Sequence, residues 1–370
     1  MRLEDLPTPC LVLDRGILQR NLQRMSSAIR RHDVSLRPHL KTAKSADVAR
    51  MAVAGEAGGI TVSTLAEAEY FAERGFRDIT IAAGTTPQKL ERVDALVNRG
   101  VRVNVITDDR DTALAIAARR APSRALIEID SGEARGGVDP FGDELIEIGR
   151  ALGDKLMGVL THAGHSYECR TVEGIRRVAE QERNAVVTAA RRLRDAGLVC
   201  HVVSVGSTPT MSYVERMDGV TEARPGVYMF GDLFQAAINT CTRDDIAVTV
   251  LASVIGRRPS RNQILIDAGA LALSKDRSTA STDQDAGFGL VLDIDGRPAF
   301  GECIIEQAYQ EHGVAVGEEG RPLPFGSLKV GSKVRVAPNH SCITAAAHDR
   351  YYVVDGAREI VGEWDRINGW

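Results

Sequence analysis

The sequence predicts an α/β protein: a (β/α)8 TIM-type barrel followed by a C-terminal antiparallel β domain. Three observations carry this prediction. Between residues 34 and 224, short apolar or β-branched runs alternate with longer amphipathic, Ala/Arg/Glu-rich segments. Eight such runs can be counted, the number a closed barrel needs, whereas an open doubly wound sheet usually has fewer and opens on a Gly-rich turn. After about residue 240 the long helices stop, and strand-like runs follow one another between turn signals.

In chain order, CLVLD (10–14) reads as a short strand. A helix over 17–32 follows, where Ile17, Leu18, Leu22, Met25 and Ile29 recur at helical spacing. The barrel strands are VSLRPH (34–39), GITVS (59–63), DITIAA (78–83), VRVNVIT (101–107), RALIEID (124–130), LMGVLTH (156–162), CHVVSVG (200–206) and GVTEARPG (219–226). The β domain contributes AVTVLASVIGR, QILIDAG, GLVLDIDGR, SLKVGSKVRVAP and DRYYVVDG, with the polar DRSTASTDQDAG (276–287) as an exposed loop between two strands. The limits implied are 15–240 for the barrel, and 1–14 with 241–370 for the β domain.

Composition narrows the function. With 370 residues and 44% hydrophobic content the chain buries a large core. A net charge of -4, from 46 basic and 50 acidic residues, gives no global field for nucleic acid or an anionic membrane, so a small-molecule role fits better. No apolar stretch approaches the roughly 20 residues of a membrane span, and MRLEDLPTPC lacks a basic-then-apolar leader pattern, so a cytoplasmic location is expected. The six cysteines are far apart with no C-x-x-C pair, which suits reduced thiols.

A barrel places its active site at the C-terminal ends of its strands. Strand one ends in His39 and Lys41, strand five in Asp130 before SGEARGG with Arg135, and strand six in His162 before Gly164, His165 and Tyr167. Strand seven ends in Gly206-Ser207-Thr208-Pro209-Thr210 and strand eight in Arg224-Pro225-Gly226-Val227-Tyr228. Ser207, Thr208 and Gly226 offer a phosphate cradle where barrels often bind phosphate, although most such turns merely cap a helix. Taken alone, Lys41 reads as a solvated lysine at a helix start. Inside a barrel mouth, near cations such as Arg37 or Arg135, it would instead be available as a neutral amine for Schiff-base chemistry. With the phosphate cup, this suggests pyridoxal 5'-phosphate. Lys44 is expected to be the ordinary solvated lysine.

A second constellation is APNHSC (337–342). His340 and Cys342 at i, i+2 would face one side of an extended segment and could share an ion, and imidazole plus thiolate selects zinc. Two protein ligands leave positions open for water or substrate, as in a catalytic site. The plain alternative is a buried cysteine beside a satisfied histidine.

The motifs RPHxKT, DxGxxRxG, HxGHSY, GSTPT, RPGxY and PNHSC, in this order, resemble the metal-dependent D-serine dehydratase and D-threonine aldolase family, fold-type III pyridoxal-phosphate enzymes related to alanine racemase. The resemblance runs from Thr8-Pro9 to Arg366-Ile367-Asn368-Gly369-Trp370. It implies that Lys41 forms the Schiff base and then acts at the substrate Cα, and that Arg135 lies near the cofactor's phenolic oxygen. By the same resemblance Tyr167 or Arg224 faces the pyridine nitrogen, while Ser207, Thr208, Gly226 and Val227 hold the phosphate. His340 and Cys342 would bind zinc, with manganese or another divalent ion as the substitute, in a homodimer.

Within this family the aldolase branch typically carries an H-x-D pair and a histidine a few residues past the strand-six glycine. Here the sequence reads H-S-C and G-H-S-Y-E. Both differences favour a dehydratase that turns D-serine, D-threonine or D-3-hydroxyaspartate into a 2-oxo acid and ammonia. The alternatives are a D-threonine-type aldolase giving glycine and an aldehyde, a racemase, and a non-catalytic pyridoxal-phosphate carrier.

Overall fold

The computed structural model describes all 370 residues, and contacts divide them into two units. One comprises Gln23–Gly226 with Gly369–Trp370, the other Met1–Leu22 with Val227–Asn368. The sequence pattern had suggested limits at 15 and 240. The first boundary falls instead within the helix Arg15–Arg30, because Asn21 Nδ2 donates to the carbonyls of Met229 (3.0 Å) and Asp245 (2.8 Å). The second falls before the helix Leu233–Ala237, whose first N–H groups donate to Pro338 and Asn339 carbonyls.

Strand β1 (Cys10–Asp14) belongs to the second unit. The first unit holds eight parallel strands: β2 (Ser35–Leu36), β3 (Ile60–Val62), β4 (Asp78–Gly84), β5 (Arg102–Thr107), β6 (Arg124–Glu128), β7 (Leu156–Leu160), β8 (Val202–Val205) and β9 (Glu222–Ala223). Their order is β2-β9-β8-β7-β6-β5-β4-β3. The ring closes just beyond β2: Leu40 N donates to Thr61 O (2.8 Å) and Thr61 N to Pro38 O (3.0 Å). All eight expected strands are present. Helices return the chain between strands, and their N-caps follow from short polar residues: Thr64 accepts from Glu67 N, Asp109 from Thr112 N and Thr171 from Gly174 N.

The barrel interior is partly charged. Arg37 donates to Glu222 (2.7 Å) and Asp78 (2.8 Å), the first residues of β9 and β4. Glu222 in turn accepts from Ser204 Oγ (2.7 Å), which also takes a hydrogen bond from Arg224. Burial alone would lower the Arg37 pKa, but Glu222 and Asp78 hold it above its ordinary value. Arg37 is therefore a paired cation at the N-terminal end of the barrel, and not the neighbour of Lys41 that the sequence suggested.

In the second unit, β10 (Val248–Arg258), β11 (Gln263–Ile266), β14 (Gly313–Val316), β13 (Ile304–Ala308), β12 (Leu290–Leu292) and β15 (Lys333–Ala337) close into an antiparallel ring. The sheet extends from β10 through β1 and β16 (Arg350–Val354) to β17 (Gly362–Asp365). One pair, β1 with β16, is parallel and departs from the antiparallel expectation. β13, β14 and β17 were not foreseen, because strands of four or five residues with weak alternation carry little signal. Nor is 276–287 simply an exposed loop: Thr279 is 1% exposed and hydrogen-bonded to Asn339, with Ala286 N donating to Thr279 Oγ1 (3.0 Å). No helix is long and apolar enough to cross a membrane.

Candidate active site

At the C-terminal ends of the barrel strands a cavity of about 390 Å³ opens, within the roughly 300–1,000 Å³ usual for small-molecule sites. Every strand contributes to its wall or rim. Lys41 lies on it, beyond β2, with its side chain exposed to the cavity, and is the only amine there. Arg135 and Arg224 bring two guanidinium groups, Asp108 and Glu128 two carboxyls, and His39 and His162 two imidazoles.

Lys44 corrects an expectation. It is not a solvated bystander: the residue sits at φ 49°, and its Nζ lies 3.2 Å from Glu67 Oε1, a side chain with no exposure. The helix that was expected to begin near it starts at Ala46, so Lys41 and Lys44 occupy a turn, where successive side chains diverge.

Both cavity imidazoles are neutral. Burial lowers the His39 pKa well below its ordinary range, and Lys41 and Arg224 push it further. For His162, burial and Lys41 outweigh a hydrogen bond to Gly206 and bring the pKa down to about 3. The bonding fixes the tautomers. His162 Nδ1 is 3.1 Å from the Gly206 carbonyl, so Nδ1 carries the proton. His39 Nδ1 accepts from Lys41 N at 3.4 Å, so its proton is on Nε2.

A stability consequence follows for the cofactor-free protein. The unfolded chain takes up a proton at His162 near the ordinary value of 6.5, while the native state resists until about 3, so stability falls as pH drops through that window. Between pH 6.5 and 5, the wild type is expected to lose roughly 1.5 kcal/mol more unfolding free energy than His162→Asn. Denaturant titrations at the two pH values measure this, and equal losses would reject a neutral buried His162.

Arg224 is 4% exposed and donates to Thr161 O (2.6 Å), Val205 O (3.3 Å) and Ser204 Oγ. Its Nε is buried with no partner on the protein, an orphan donor beside the cavity. Arg135 is half exposed, 3.5 Å from Glu133 and 3.9 Å from Glu128. Burial raises the Glu128 pKa against the pull of Arg135, and Asp108 adds to the rise.

The remaining expected cofactor residues stand back from the wall. Tyr167 lies in the short turn Gly164–Glu168, with its ring 6.4 Å from that of His162. Ser207 caps the helix Thr208–Tyr213, and its hydroxyl already meets Ser166 Oγ (2.8 Å) and Thr210 Oγ1 (3.0 Å). Thr208 is buried behind it, Gly226 closes the barrel unit and Val227 opens the other. A Cβ at Gly226 would come 2.9 Å from His39 O, so glycine lets the loop after β9 pack on the one after β2.

The residues present fit pyridoxal phosphate. They supply one amine for its aldehyde, one guanidinium, Arg135, for an anionic oxygen, and a second, Arg224, with an orphan buried N–H for a ring acceptor.

In the second unit, His340 and Cys342 do come together, by a different geometry from the one expected. Cys342 is not on an extended segment but in the short helix Ser341–Ala345, with His340 at its N-cap, because the strand ends at Ala337 before Pro338. Asp276 Oδ2 lies 3.8 Å from His340 Nδ1. Burial opposes protonation of His340, but Asp276 and Cys342 together raise its pKa to about 11. Buried Asp232 accepts from Ser341 N (3.1 Å) and holds the helix start. No group of three or more His, Cys, Asp or Glu side chains is poised to hold an ion. The pair is a soft N/S donor set that suits zinc with open positions. Asp276 and Asp232 were missed in the sequence. They lie far from the PNHSC motif, and nothing local marks them.

Comparison with known proteins bears on the fold and the family. Residues 13–233 match the alanine racemase N-terminal domain, and 247–354 match a domain described for serine dehydratases. The chain is 43% identical to D-threo-3-hydroxyaspartate dehydratase of Delftia sp., over 99% of this chain and 98% of that one. It is 30% identical to D-serine dehydratase of Dictyostelium discoideum (100% and 98% covered), and 29% to D-threonine aldolase of Arthrobacter sp. (98% and 93%). The solved structure of the Delftia enzyme superposes with a TM-score of 0.96 at 42% identity, covering 100% of both chains. That enzyme has also been solved as a cysteine-to-alanine variant in a metal-free form and as a histidine-to-alanine variant, the two positions lying two residues apart.

Proposed function

The chain belongs to the alanine-racemase-like family of pyridoxal-phosphate enzymes that includes D-serine dehydratase, D-threo-3-hydroxyaspartate dehydratase and D-threonine aldolase, and from that premise we propose that it is a pyridoxal-phosphate- and zinc-dependent dehydratase of D-β-hydroxy amino acids. The observation that carries this reading is the cavity, where one amine, Lys41, stands among two guanidiniums and two neutral imidazoles. Dehydration rather than aldol cleavage is supported by the whole-length identity to the Delftia dehydratase and by H-S-C in place of H-x-D.

When bound, pyridoxal phosphate supplies an aldehyde that takes the substrate amine and a ring that accepts the electron pair left at Cα. Lys41 anchors that aldehyde at rest and, once displaced, takes the Cα proton on its free amine. Arg135 would meet the phenolic oxygen and Arg224 the ring nitrogen, its unpartnered Nε supporting that role over Tyr167. Ser207, Thr208, Gly226 and Val227 hold the phosphate, which requires the Ser207 hydroxyl to exchange partners with Thr210 or Ser166.

His340 and Cys342 would hold zinc, or manganese or another divalent ion, which would supply Lewis acidity toward the β-hydroxyl. Asp276 orients His340. The net change converts the hydroxy amino acid to a 2-oxo acid and ammonia, the water lost in elimination being returned in hydrolysis. A reducing cytoplasm, supported by six free thiols, and a homodimer, expected from the family resemblance, complete the reading.

The test is product identity. D-threo-3-hydroxyaspartate, D-serine and D-threonine are each incubated with the enzyme, and 2-oxo acid, ammonia, glycine and aldehyde are measured together. Equimolar oxo acid and ammonia are expected, with D-threo-3-hydroxyaspartate turned over fastest. Glycine with an aldehyde as the main products would make the chain an aldolase, the reading its D-threonine aldolase relative favours.

A further inference from the structure

The long helix Val172–Asp195 covers the barrel outside β7 and β8, and most of its charges face solvent. Glu182 does not. It has no exposure, and its Oε1 accepts two backbone hydrogen bonds, from Ala163 N (3.1 Å) and Gly206 N (3.0 Å), at the start of the loops leaving β7 and β8. His162, the neighbour of Ala163, donates from Nδ1 to the Gly206 carbonyl at 3.1 Å. The contacts close a ring: carboxylate to Ala163, peptide bond to His162, imidazole to Gly206, and Gly206 N–H back to the carboxylate.

Arg224 grips the same two loops slightly earlier, two residues before Ala163 and one before Gly206, donating to Thr161 O (2.6 Å) and Val205 O (3.3 Å). The carboxylate thus holds the loops by their N–H groups and the guanidinium holds them by their carbonyls. Glu182 Oε2 meets no donor in good hydrogen-bond geometry, and the nearby Thr210 hydroxyl eases the burial of the carboxyl only in part. A buried carboxylate with an idle oxygen is a costly way to fill space between helix and barrel, where leucine would pack as well. What it provides is one acceptor that reaches two N–H groups at once.

We infer that Glu182 is a positioning residue for the cofactor cavity, holding His162 and the Gly206 turn in register with Arg224 from outside the barrel. This rests on the reading that the cavity binds pyridoxal phosphate. Reach, and not charge, is the property used, and the variants separate the two. Glu182→Gln keeps an acceptor oxygen at the same distance and places its amide where Oε2 is idle. Glu182→Asp keeps the charge but is one methylene shorter and cannot meet both N–H groups.

The experiment titrates the cofactor-free full-length protein with pyridoxal phosphate, following visible absorbance and circular dichroism, with far-ultraviolet circular dichroism to check the fold. Glu182→Gln is expected to bind within about threefold of wild type, and Glu182→Asp at least about fivefold more weakly with an altered visible dichroism band. Glu182→Leu, where it folds, is expected to lose about tenfold or more. Asp binding like wild type, or Gln as weakened as Asp, would overturn the inference while leaving the cavity reading intact. A wild type that takes up no cofactor would overturn both.

Discussion

Lys41→Ala gives a folded protein that lacks the visible band of a lysine-bound cofactor, and its turnover falls by roughly three orders of magnitude, the scale of a lost general base. Lys41 is the only amine on the cavity wall, so nothing else there can condense with the aldehyde. The control is Lys44, three residues on, whose Nζ is directed to buried Glu67 at 3.2 Å. Removing it leaves a buried carboxylate without its counter-ion, so Lys44→Ala is expected to lower the unfolding temperature and leave the band in place. Absorbance spectra and turnover of the two purified variants decide the matter. A band that survives in Lys41→Ala would remove the basis of the proposed function.

The second large effect is at Cys342. Cys342→Ala is expected to lose bound zinc and at least about a hundredfold in dehydration rate, since a Lewis acid on a leaving oxygen contributes several kcal/mol to the barrier. The cofactor band should persist, because Lys41 and the cavity belong to the barrel unit and Cys342 to the other. Chelation of the wild type should match the variant and be reversed by added zinc or manganese. The variant should not recover. Metal analysis beside rate measurements tests this, and an active, zinc-containing Cys342→Ala would exclude His340 and Cys342 as the ion's site.

Most of the site's near side was readable from one dimension. The barrel strands could be located because β-branched runs of four to eight residues between amphipathic helices leave few alternatives. Given the barrel, the ends of those strands had to carry the chemistry, which singled out Lys41, Arg135 and Arg224. The PNHSC motif paired His340 with Cys342, although the pairing arises from a helix N-cap and not from strand alternation. Charge compensation was not readable. Arg37 seemed a cation for the barrel mouth, yet it is neutralised by Glu222, 185 residues away, at the other end of the barrel. Nothing in AEQERN marks Glu182 as buried, and Asp276 read as part of a polar loop.

The sequence by itself determined the barrel and the companion β domain, and it pointed to Lys41 as the amine and to His340 and Cys342 as the soft donors of the proposed ion. Those properties reside in local periodicity and in side-chain chemistry. Tertiary structure alone decided which charges are buried, and with what: Lys44 with Glu67, Arg37 with Glu222 and Asp78, and the two loops between Glu182 and Arg224. A buried charge is tolerable only where a partner or hydrogen bond meets it, and those partners come from distant parts of the chain that only folding brings together.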